Sequence, residues 1–378
     1  MTTNPTDAIR ALDVRAYRIP TEQPETDGTY AWNATTVVVV QVQAQDQWGL
    51  GFSYAAQASA VLVDELLTDV IVGRDPFDVP GAWLAMVEKI RNVGRPGIAS
   101  MAIAAVDTAL WDLKARLLDV SLPRLLGMAR PVAPVYGSGG FTSYTDEQLV
   151  AQLGGWVHDT GIPRVKMKIG TRRGRCPDRD VQRVGLVRDA IGAEAELYVD
   201  ANGAYTRKQA IRLGSKLDDL GVTWFEEPVS SDDLAGLHEV RGMIAADVAA
   251  GEYGYDLTYF ERMCAHDAVD VLQADVSRCA GITEWLRAAA IAAAHGLEIS
   301  GHCAQSLHVA PACSVANLRH LEYFHDHARV DRLLFDGVLD PKGGALQPDL
   351  GRPGAGLELK ESDAVPYLAY SIQRDGRV

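Results

Sequence analysis

The sequence is poor in cysteine and lacks any long run of apolar residues. Five cysteines occur in 378 residues and none form a CxxC pair. Their odd number argues against a closed disulfide framework and favours a reducing, cytoplasmic location. No apolar stretch approaches the roughly 18 residues that span a bilayer. The first ten residues, MTTNPTDAIR, lack the basic and apolar segments of a secretory signal. Neither export nor membrane insertion is therefore predicted.

An excess of positive charge is also missing. The 36 basic and 50 acidic residues give a formal charge of −14, which repels phosphate backbones and anionic lipid surfaces. The most basic stretch, TRRGRCPDRD at residues 171–180, is interrupted by acids and by Pro177 and is typical of an exposed loop. It could lie near a site or only on a rim. Nucleic acid and membranes are therefore not expected as partners.

The chain is long enough for one large barrel or two domains, and its pattern favours a barrel with an added domain. Residues 1–130 are expected to form an α+β domain, because two strand-like runs precede helical patterns. A polar loop from about Thr21 to Asn33 is predicted between those strands. It carries Tyr30 and Trp32, which could close over a ligand or pack onto their own domain.

Short strand-like runs alternate with helical segments over residues 131–339, which predicts a parallel βα barrel. Residues 340–378 are rich in glycine and proline and are expected to return to the first domain. In such a barrel the active site lies at the carboxyl ends of the strands. Nearly every run here ends in polar residues, namely Lys166 and Lys168, Asp200 and Asn202, Glu226 and Glu227, Glu252, Asp275, His302, and Glu322.

Three of these carboxylates, Asp200, Glu226 and Glu252, follow one another at intervals of 26 residues. Each alone could be a helix N-cap or a surface acid, but three at matching positions favour convergence. Oxygen ligands favour a hard ion, and room for water and substrate oxygens favours Mg²⁺ over Ca²⁺. Clustered carboxylates without a cation would repel one another and raise each other's pKa. The sequence therefore predicts a magnesium site.

The run VKMKI places Lys166 and Lys168 on one face of a strand, because residues i and i+2 share a face. An ammonium group inside a barrel is costly unless it is paired. A solvated edge strand is the alternative, but it would expose the apolar residues of the run. Each lysine disfavours charge on the other, so Lys168 is predicted to have a depressed pKa and to act as a base.

Histidines supply the second candidate base. His302 with Asp275 fits a base that a carboxylate holds in one tautomer. His308, His325 and His327 follow no metal-ligand spacing, and a structural role is favoured for each, although His308 is kept as a candidate substrate contact.

These motifs together resemble the enolase superfamily and, within it, the mandelate racemase subgroup. The resemblance covers nearly the whole chain through VDTALWDLKAR, KMK, VDANGAY, WFEEPV, AGEYG, QADVSRCAGIT, SGHCA and LEYF, in that order. It implies a modified TIM barrel, (β/α)7β, with an α+β amino-terminal capping domain completed by the carboxy-terminal segment. It also makes a homo-oligomer the expected assembly.

The resemblance further implies roles for the strand-end residues. Mg²⁺ would bind at Asp200, Glu226 and Glu252. Lys168 would be one acid/base, and His302 with Asp275 the other. Lys166 would help to neutralise a substrate carboxylate, to which Glu322 would donate a hydrogen bond. Substrate contacts are expected at Asn202, Trp32, Tyr30 and His308.

The chemistry that the resemblance implies is removal of the proton α to a carboxylate, giving an enediolate. Dehydration of an aldonic or aldaric acid to a 2-keto-3-deoxy acid is the favoured outcome, because the loop around Tyr30 is rich in polar residues. A racemase or epimerase would use the same two bases. A cycloisomerase and a barrel without catalytic activity are further alternatives, and Trp32 with Tyr30 could also enclose an aromatic substrate.

Overall fold

The computed structural model describes residues 8–375. The first domain is an antiparallel sheet that packs against helices. Residues 1–7, on which the export prediction partly rests, lie outside that range. The strands are β1 (Ile9–Thr26), β2 (Ala31–Ala44) and β3 (Gln47–Ser53). The helical segments that follow are α1 (Gln57–Leu62), a π-helical turn (Val63–Leu67), α2 (Thr68–Ile71), α3 (Val79–Lys89), α4 (Ile98–Leu117) and α5 (Leu122–Leu126).

The predicted loop between the first two strands is wrong. β1 and β2 instead form a long hairpin that pairs Pro20 with Ala34 and Thr26 with Ala31, with an irregularity before Glu25. Its polar residues and Pro20 resemble a loop in composition, but the two strands pair with each other there and the tip is partly solvated. The dipeptide Asp27-Gly28 at the tip is a hairpin signal that the sequence did contain.

Close packing of α4 on β3 forms the core of this domain. A Cβ atom on Gly49 would lie 2.3 Å from Ala109 O, and one on Gly51 would lie 2.3 Å from Ala105 O. Side chains at these two positions would push the helix away from the sheet, so the glycines set the separation. The same helix contacts the barrel, because Asp107 accepts hydrogen bonds from Thr283 N (3.0 Å) and Oγ1 (2.6 Å).

Eight parallel strands close into a barrel, because the last of them pairs with the first. They are β4 (Ala133–Gly139), β5 (Arg164–Lys168), β6 (Glu196–Asp200), β7 (Val222–Glu226), β8 (Asp247–Ala250), β9 (Val271–Ala274), β10 (Glu298–Gly301) and β11 (Leu318–Phe324). The helices between and after them are α6 (Asp146–His158), α7 (Thr171–Gly174), α8 (Pro177–Ile191), α9 (Arg207–Asp218), α10 (Leu234–Arg241), α11 (Leu257–Ala265), α12 (Ile282–Ala294), α13 (Gln305–Ser314) and α14 (His325–Leu334).

Inward-facing side chains fill the barrel in layers, as expected for this fold. The lower layer is aromatic and apolar: Tyr136, Tyr198 and Trp224 pack together there with Val271. Two residues further along β7, the inward position is Glu226. The strand period of two therefore places the charged residues directly above an apolar plug.

The carboxy-terminal segment returns to the first domain. It contains β12 (Phe335–Asp336), β13 (Ala345–Leu346), β14 (Glu358–Leu359), α15 (Glu361–Ala364), a 3₁₀ turn (Val365–Tyr367) and β15 (Leu368–Asp375). β15 pairs antiparallel with β1, giving the strand order β15-β1-β2-β3. The predicted fold class, a modified TIM barrel with a capping domain completed by the tail, is confirmed. No helix within residues 8–375 has the length and apolar character needed to cross a membrane.

Candidate active site

Three buried carboxylates converge at the carboxyl end of the barrel. Asp200 and Glu226 are the last residues of β6 and β7, and Glu252 follows the end of β8. One oxygen atom from each lies within 4.8 Å of the others. The structure thus brings together the three residues that the sequence singled out as metal ligands.

The donor set fits a hard cation. All three groups offer oxygen, and all three are buried. Burial and the neighbouring Asp200 raise the pKa of Glu226 to about 8. The raised pKa shows that the negative charge of Asp200 and Glu226, crowded together, is not fully compensated by the protein. A divalent cation with oxygen ligands, such as Mg²⁺, would supply that compensation.

Lys166 lies wholly inside the barrel beneath these carboxylates. Its Nζ is 2.6 Å from Glu226 Oε1, 2.8 Å from Glu322 Oε1 and 3.6 Å from Asp200 Oδ2. Burial favours the neutral amine, but the carboxylates outweigh it and raise the pKa of Lys166 well above its ordinary value. Lys166 is therefore a fixed ammonium group, paired as predicted.

The pKa of Lys168 is not depressed, as the sequence predicted, but raised. Its ammonium group donates to Asp200 Oδ2. Burial and Lys166 both lower the pKa of Lys168, but the Asp200 carboxylate reverses the balance and raises it above the ordinary value. The depressed pKa was predicted from Lys166 alone, and it fails here because the pairing with Asp200 is stronger. Lys168 lines the open cavity, whereas Lys166 does not.

His302 and Asp275 form the expected dyad. His302 Nδ1 lies 2.8 Å from Asp275 Oδ2, while Nε2 faces the carboxylates at 3.1 Å from Glu252 Oε2. Asp275 also accepts hydrogen bonds from Ser277 N and Oγ, both at 2.7 Å. Burial opposes ionisation of Asp275, but the hydrogen bond from His302 lowers its pKa below the ordinary value. The carboxylate thus fixes the ring so that Nε2 points into the site.

Glu322 is an acceptor in this arrangement and not the donor that was expected. Its Oε1 accepts from Ser138 Oγ (2.5 Å) and from Lys166, and its Oε2 accepts from Cys303 N (3.0 Å). Burial disfavours its charge, but the Lys166 ammonium outweighs this and lowers the pKa of Glu322. Glu322 therefore holds Lys166 in place as an ionised group.

A cavity of about 530 Å³ lies above these residues, between the barrel and the capping domain. Among the predicted substrate contacts, Tyr30, Trp32 and Asn202 line it. Trp32 is held by a hydrogen bond from Nε1 to Glu25 Oε2 (2.8 Å) and by an edge contact with Phe141. The two aromatic residues therefore face the ligand space, although Tyr30 remains 68% exposed.

The tip of the β1–β2 hairpin rests directly on the barrel. A Cβ atom on Gly28 would lie 2.4 Å from Ala201 O and 2.9 Å from Ile169 O. Arg173 N also donates to Gly28 O (3.2 Å), so the basic segment at residues 171–180 meets the rim of the site and braces the hairpin. Glycine is required here for this close approach.

His308 does not reach the cavity, which corrects its assignment as a substrate contact. It is fully buried. Its Nε2 accepts from Val276 N (3.0 Å), and its Nδ1 lies 2.8 Å from Cys303 O. Both ring nitrogens are occupied by backbone groups, so His308 supports the loops after β9 and β10. The sequence showed its residue type but not its direction on α13.

Several residues at the site were missed. Arg278 bridges Glu252 Oε1 (3.2 Å) and Asp275 Oδ2 (3.5 Å); its position three residues after Asp275 was an available signal. Cys303 lies between His302 and Glu322, with Sγ 3.4 Å from His302 Nε2 and 3.3 Å from Glu322 Oε2. Asp27 lines the cavity from the hairpin tip, and its only signal was the Asp-Gly pair.

Two family models match the chain. The model described as "Enolase C-terminal domain-like" matches residues 148–363. The model described as "Mandelate racemase / muconate lactonizing enzyme, N-terminal domain" matches residues 11–127.

Relatives and solved structures agree with those matches. L-talarate/galactarate dehydratase of Salmonella typhimurium is 30% identical over 86% of this chain and 81% of its own. The 3,6-anhydro-alpha-L-galactonate cycloisomerase of Streptomyces coelicolor is 31% identical over 93% and 97%. A mandelate racemase/muconate lactonizing enzyme-like protein from Rubrobacter xylanophilus is 48% identical, covers 96% of this chain and 100% of its own, and superposes with a TM-score of 0.92. A structure of an L-talarate/galactarate dehydratase mutant liganded with Mg and L-glucarate is 27% identical over 99% and 95%, with a TM-score of 0.91.

Proposed function

Because the chain belongs to the mandelate racemase/muconate lactonizing enzyme family, we propose that it is a magnesium-dependent dehydratase of sugar acids. It converts an aldonic or aldaric acid to a 2-keto-3-deoxy acid and water. The observation that carries the proposal is the placement of two proton-transfer groups at opposite ends of the carboxylate cluster: Lys168 at Asp200 and His302 at Glu252. The names of relatives, mostly acid-sugar dehydratases, support this choice.

The cluster of Asp200, Glu226 and Glu252 would hold the magnesium ion. Bound there, the ion would supply Lewis-acid stabilisation of the negative charge that develops on the substrate carboxylate. Once Asp200 shares its charge with a cation, less of that charge stabilises the ammonium form of Lys168. The pairing seen here is therefore compatible with Lys168 acting as a base.

The reaction needs one group to take a proton and another to give one. One of Lys168 and His302 removes the α-proton, and the carbon–hydrogen electron pair moves into the enediolate. The other, protonated, donates to the β-hydroxyl group as the carbon–oxygen bond breaks and water leaves. The resulting enol tautomerises to the keto acid. The configuration at C2 decides which group faces the α-proton.

The charge that develops on the substrate meets groups already in place. Lys166 does not line the cavity, but it is an ammonium group fixed beneath the carboxylate cluster by Glu226 and Glu322, so its positive charge needs no reorganisation during the reaction. Asp275 holds His302 in one orientation. The aromatic residues of the hairpin cover the cavity and limit the access of water to the enediolate.

A screen of aldonic and aldaric acids with Mg²⁺ tests the proposal. Keto acid is read by semicarbazide, and α-deuterium is read by proton NMR in heavy water. Keto acid formed from at least one sugar acid supports dehydration. Deuterium uptake with inversion and no keto acid would instead identify an epimerase. Silence with the acids, together with isomerisation of a sugar-acid lactone included in the same screen, would identify a cycloisomerase.

The assembly and location also belong to the proposal. We expect a homo-oligomer in the reducing cytoplasm, since all five cysteines are free and four of them are buried, and since the family resemblance favours closed assemblies. Sedimentation velocity would test the oligomer. The domain boundaries at residues 130 and 340 are predictions that limited proteolysis would test.

A further inference from the structure

The wall of the cavity that the capping domain supplies has no basic side chain among the described residues. Its eleven residues, all between Asp27 and Met101, carry hydroxyl, aromatic and aliphatic groups and one carboxylate, that of Asp27. A sugar acid bound with its carboxylate over the metal cluster would direct its far end toward this wall. The wall therefore meets the part of the substrate that distinguishes one sugar acid class from another.

Two cations on the barrel side of the cavity, Lys168 and Arg278, already pair with carboxylates of the site. Lys168 donates to Asp200. Arg278 bridges Glu252 and Asp275 and lies over the Tyr253 ring, 5.4 Å from its centroid. Neither could leave these partners for a distant carboxylate without leaving a buried acid uncompensated.

Apart from His302 of the dyad, His327 is the remaining basic residue that lines the cavity. Its ring stacks on that of Tyr54, with centroids 3.3 Å apart, and Ala304 N lies 3.2 Å from Nδ1. Burial lowers the pKa of His327 to about 3. The ring is therefore neutral and acts as an acceptor, so it offers no charge to an anion. Arg172 and Arg173, beside the hairpin, are exposed and do not line the cavity.

Asp27 adds a carboxyl group to this wall, and its position is fixed. Its Oδ1 accepts hydrogen bonds from Thr29 N (2.5 Å) and Tyr30 N (2.7 Å), which define the hairpin tip. Gly28, the next residue, is packed against the barrel. A carboxylate held here accepts hydrogen bonds from hydroxyl groups and repels a second carboxylate.

The floor beside the metal cluster offers another acceptor. Asn202 lines the cavity, and its Oδ1 is buried without a hydrogen-bond partner within residues 8–375. An amide oxygen that lacks a donor suits a substrate hydroxyl group, which can supply one. The acceptors of the cavity thus match a hydroxylated chain and not a second anion.

We infer that the substrate is an aldonate, a sugar acid with one carboxylate and an uncharged far end, and that the enzyme discriminates against the corresponding diacid, the aldarate. This inference rests on the proposed function and specifies its substrate class. The name of one relative, L-talarate/galactarate dehydratase, gives two diacids as its substrates. The substrate class inferred for this chain is different.

Matched pairs of sugar acids test the inference. Each pair shares its configuration from C2 to C5 and differs only at C6, which is a CH₂OH group in the aldonate and a carboxylate in the aldarate. We expect the aldonate of the best pair to have a kcat/KM at least about tenfold higher, equivalent to about 1.4 kcal/mol. A better diacid in that pair would overturn the inference while leaving dehydration intact. Silence with every acid of both classes would overturn the proposed function, and this inference with it.

Two substitutions sharpen the result. Asp27→Asn keeps the acceptor Oδ1 of the hairpin tip and removes the charge, so it should lower the aldonate-to-aldarate ratio several-fold. Ala56→Lys places a cation at an exposed position of the wall, with Ala56→Gln as the neutral control of comparable length. Only Ala56→Lys should improve kcat/KM for the diacid. Ratios unchanged in both Asp27→Asn and Ala56→Lys would overturn the electrostatic basis of the inference.

Discussion

The two sides of the cavity differ in burial and in charge. On the barrel side, Lys166, Asp200, Glu226 and Glu322 are completely buried and joined in one ion-pair network. On the capping side the lining residues are mostly half-buried or exposed and mostly uncharged, and they come from the β1–β2 hairpin, the segment after β3 and the start of α4. The contrast indicates a division of labour, because rigid strand ends hold reacting groups accurately, whereas loops and hairpin tips can vary. The barrel performs the chemistry, and the capping wall selects the substrate.

Removing either proton-transfer group should have the largest effect. Lys168→Ala and His302→Asn should each lower kcat by about 10²–10⁴-fold, the range of general acid–base catalysis. Steady-state assays on the substrate found by the screen would measure this. Lys216→Ala and His295→Asn are matched controls at exposed positions and should leave kcat unchanged. Near-normal kcat in both active-site variants would remove the two-base assignment.

Breaking the buried network should cost stability on the barrel side. Lys166→Met leaves Glu226 and Glu322 without their shared cation, and breaking a buried pair in this way costs about 3–5 kcal/mol. Urea denaturation in EDTA would measure the loss against wild type. A change below about 1 kcal/mol would mean that the carboxylates can relax or protonate without penalty.

Weakening the metal cluster should have an intermediate effect. Glu252→Gln removes the charge of one ligand, so the affinity for Mg²⁺ should fall at least about tenfold, or 1.4 kcal/mol. Thermal unfolding over a range of Mg²⁺ concentrations reports this through the concentration at which Tm begins to rise. Glu261→Gln, at an exposed position on α11, is the control. Unchanged affinity in the active-site variant would remove Glu252 from the ligand set.

The capping side should respond least. Trp32→Ala removes a wall of the cavity but no reacting group, so KM should rise about 3- to 10-fold, consistent with the burial of part of one aromatic side chain, while kcat changes little. Trp32→Phe retains a ring against Phe141 and should lie close to wild type. A large fall in kcat with unchanged KM would place Trp32 in the chemistry and erase the contrast between the two sides.

The sequence was more informative about the barrel side, for a physical reason. Strands alternate with period two, so the inward positions after an apolar run could be read directly, and Lys166, Asp200, Glu226 and His302 lie where that pattern places them. Nine of the ten residues of α13 are buried, so its sequence did not distinguish the face toward the cavity. His308 was therefore assigned to the cavity, although it meets backbone groups.

Charge balance and the hairpin were harder to predict. The pKa of Lys168 depends on its distance to Asp200, a residue 32 positions away, and spacing alone supplied only the neighbouring lysine. The β1–β2 hairpin was read as a loop because its polar residues lie at a partly solvated tip. Asp27 and Arg278 were missed because their roles arise from contacts between domains or loops.

The most direct test of the account is α-deuterium exchange in heavy water, followed beside keto acid formation for Lys168→Ala and His302→Asn on one good substrate. The two variants should differ. The variant without the base for that C2 configuration should show neither exchange nor keto acid, and the variant without the acid should exchange the α-proton while forming keto acid at least about 10²-fold more slowly. Equal, near-wild-type rates of both processes in both variants would contradict it.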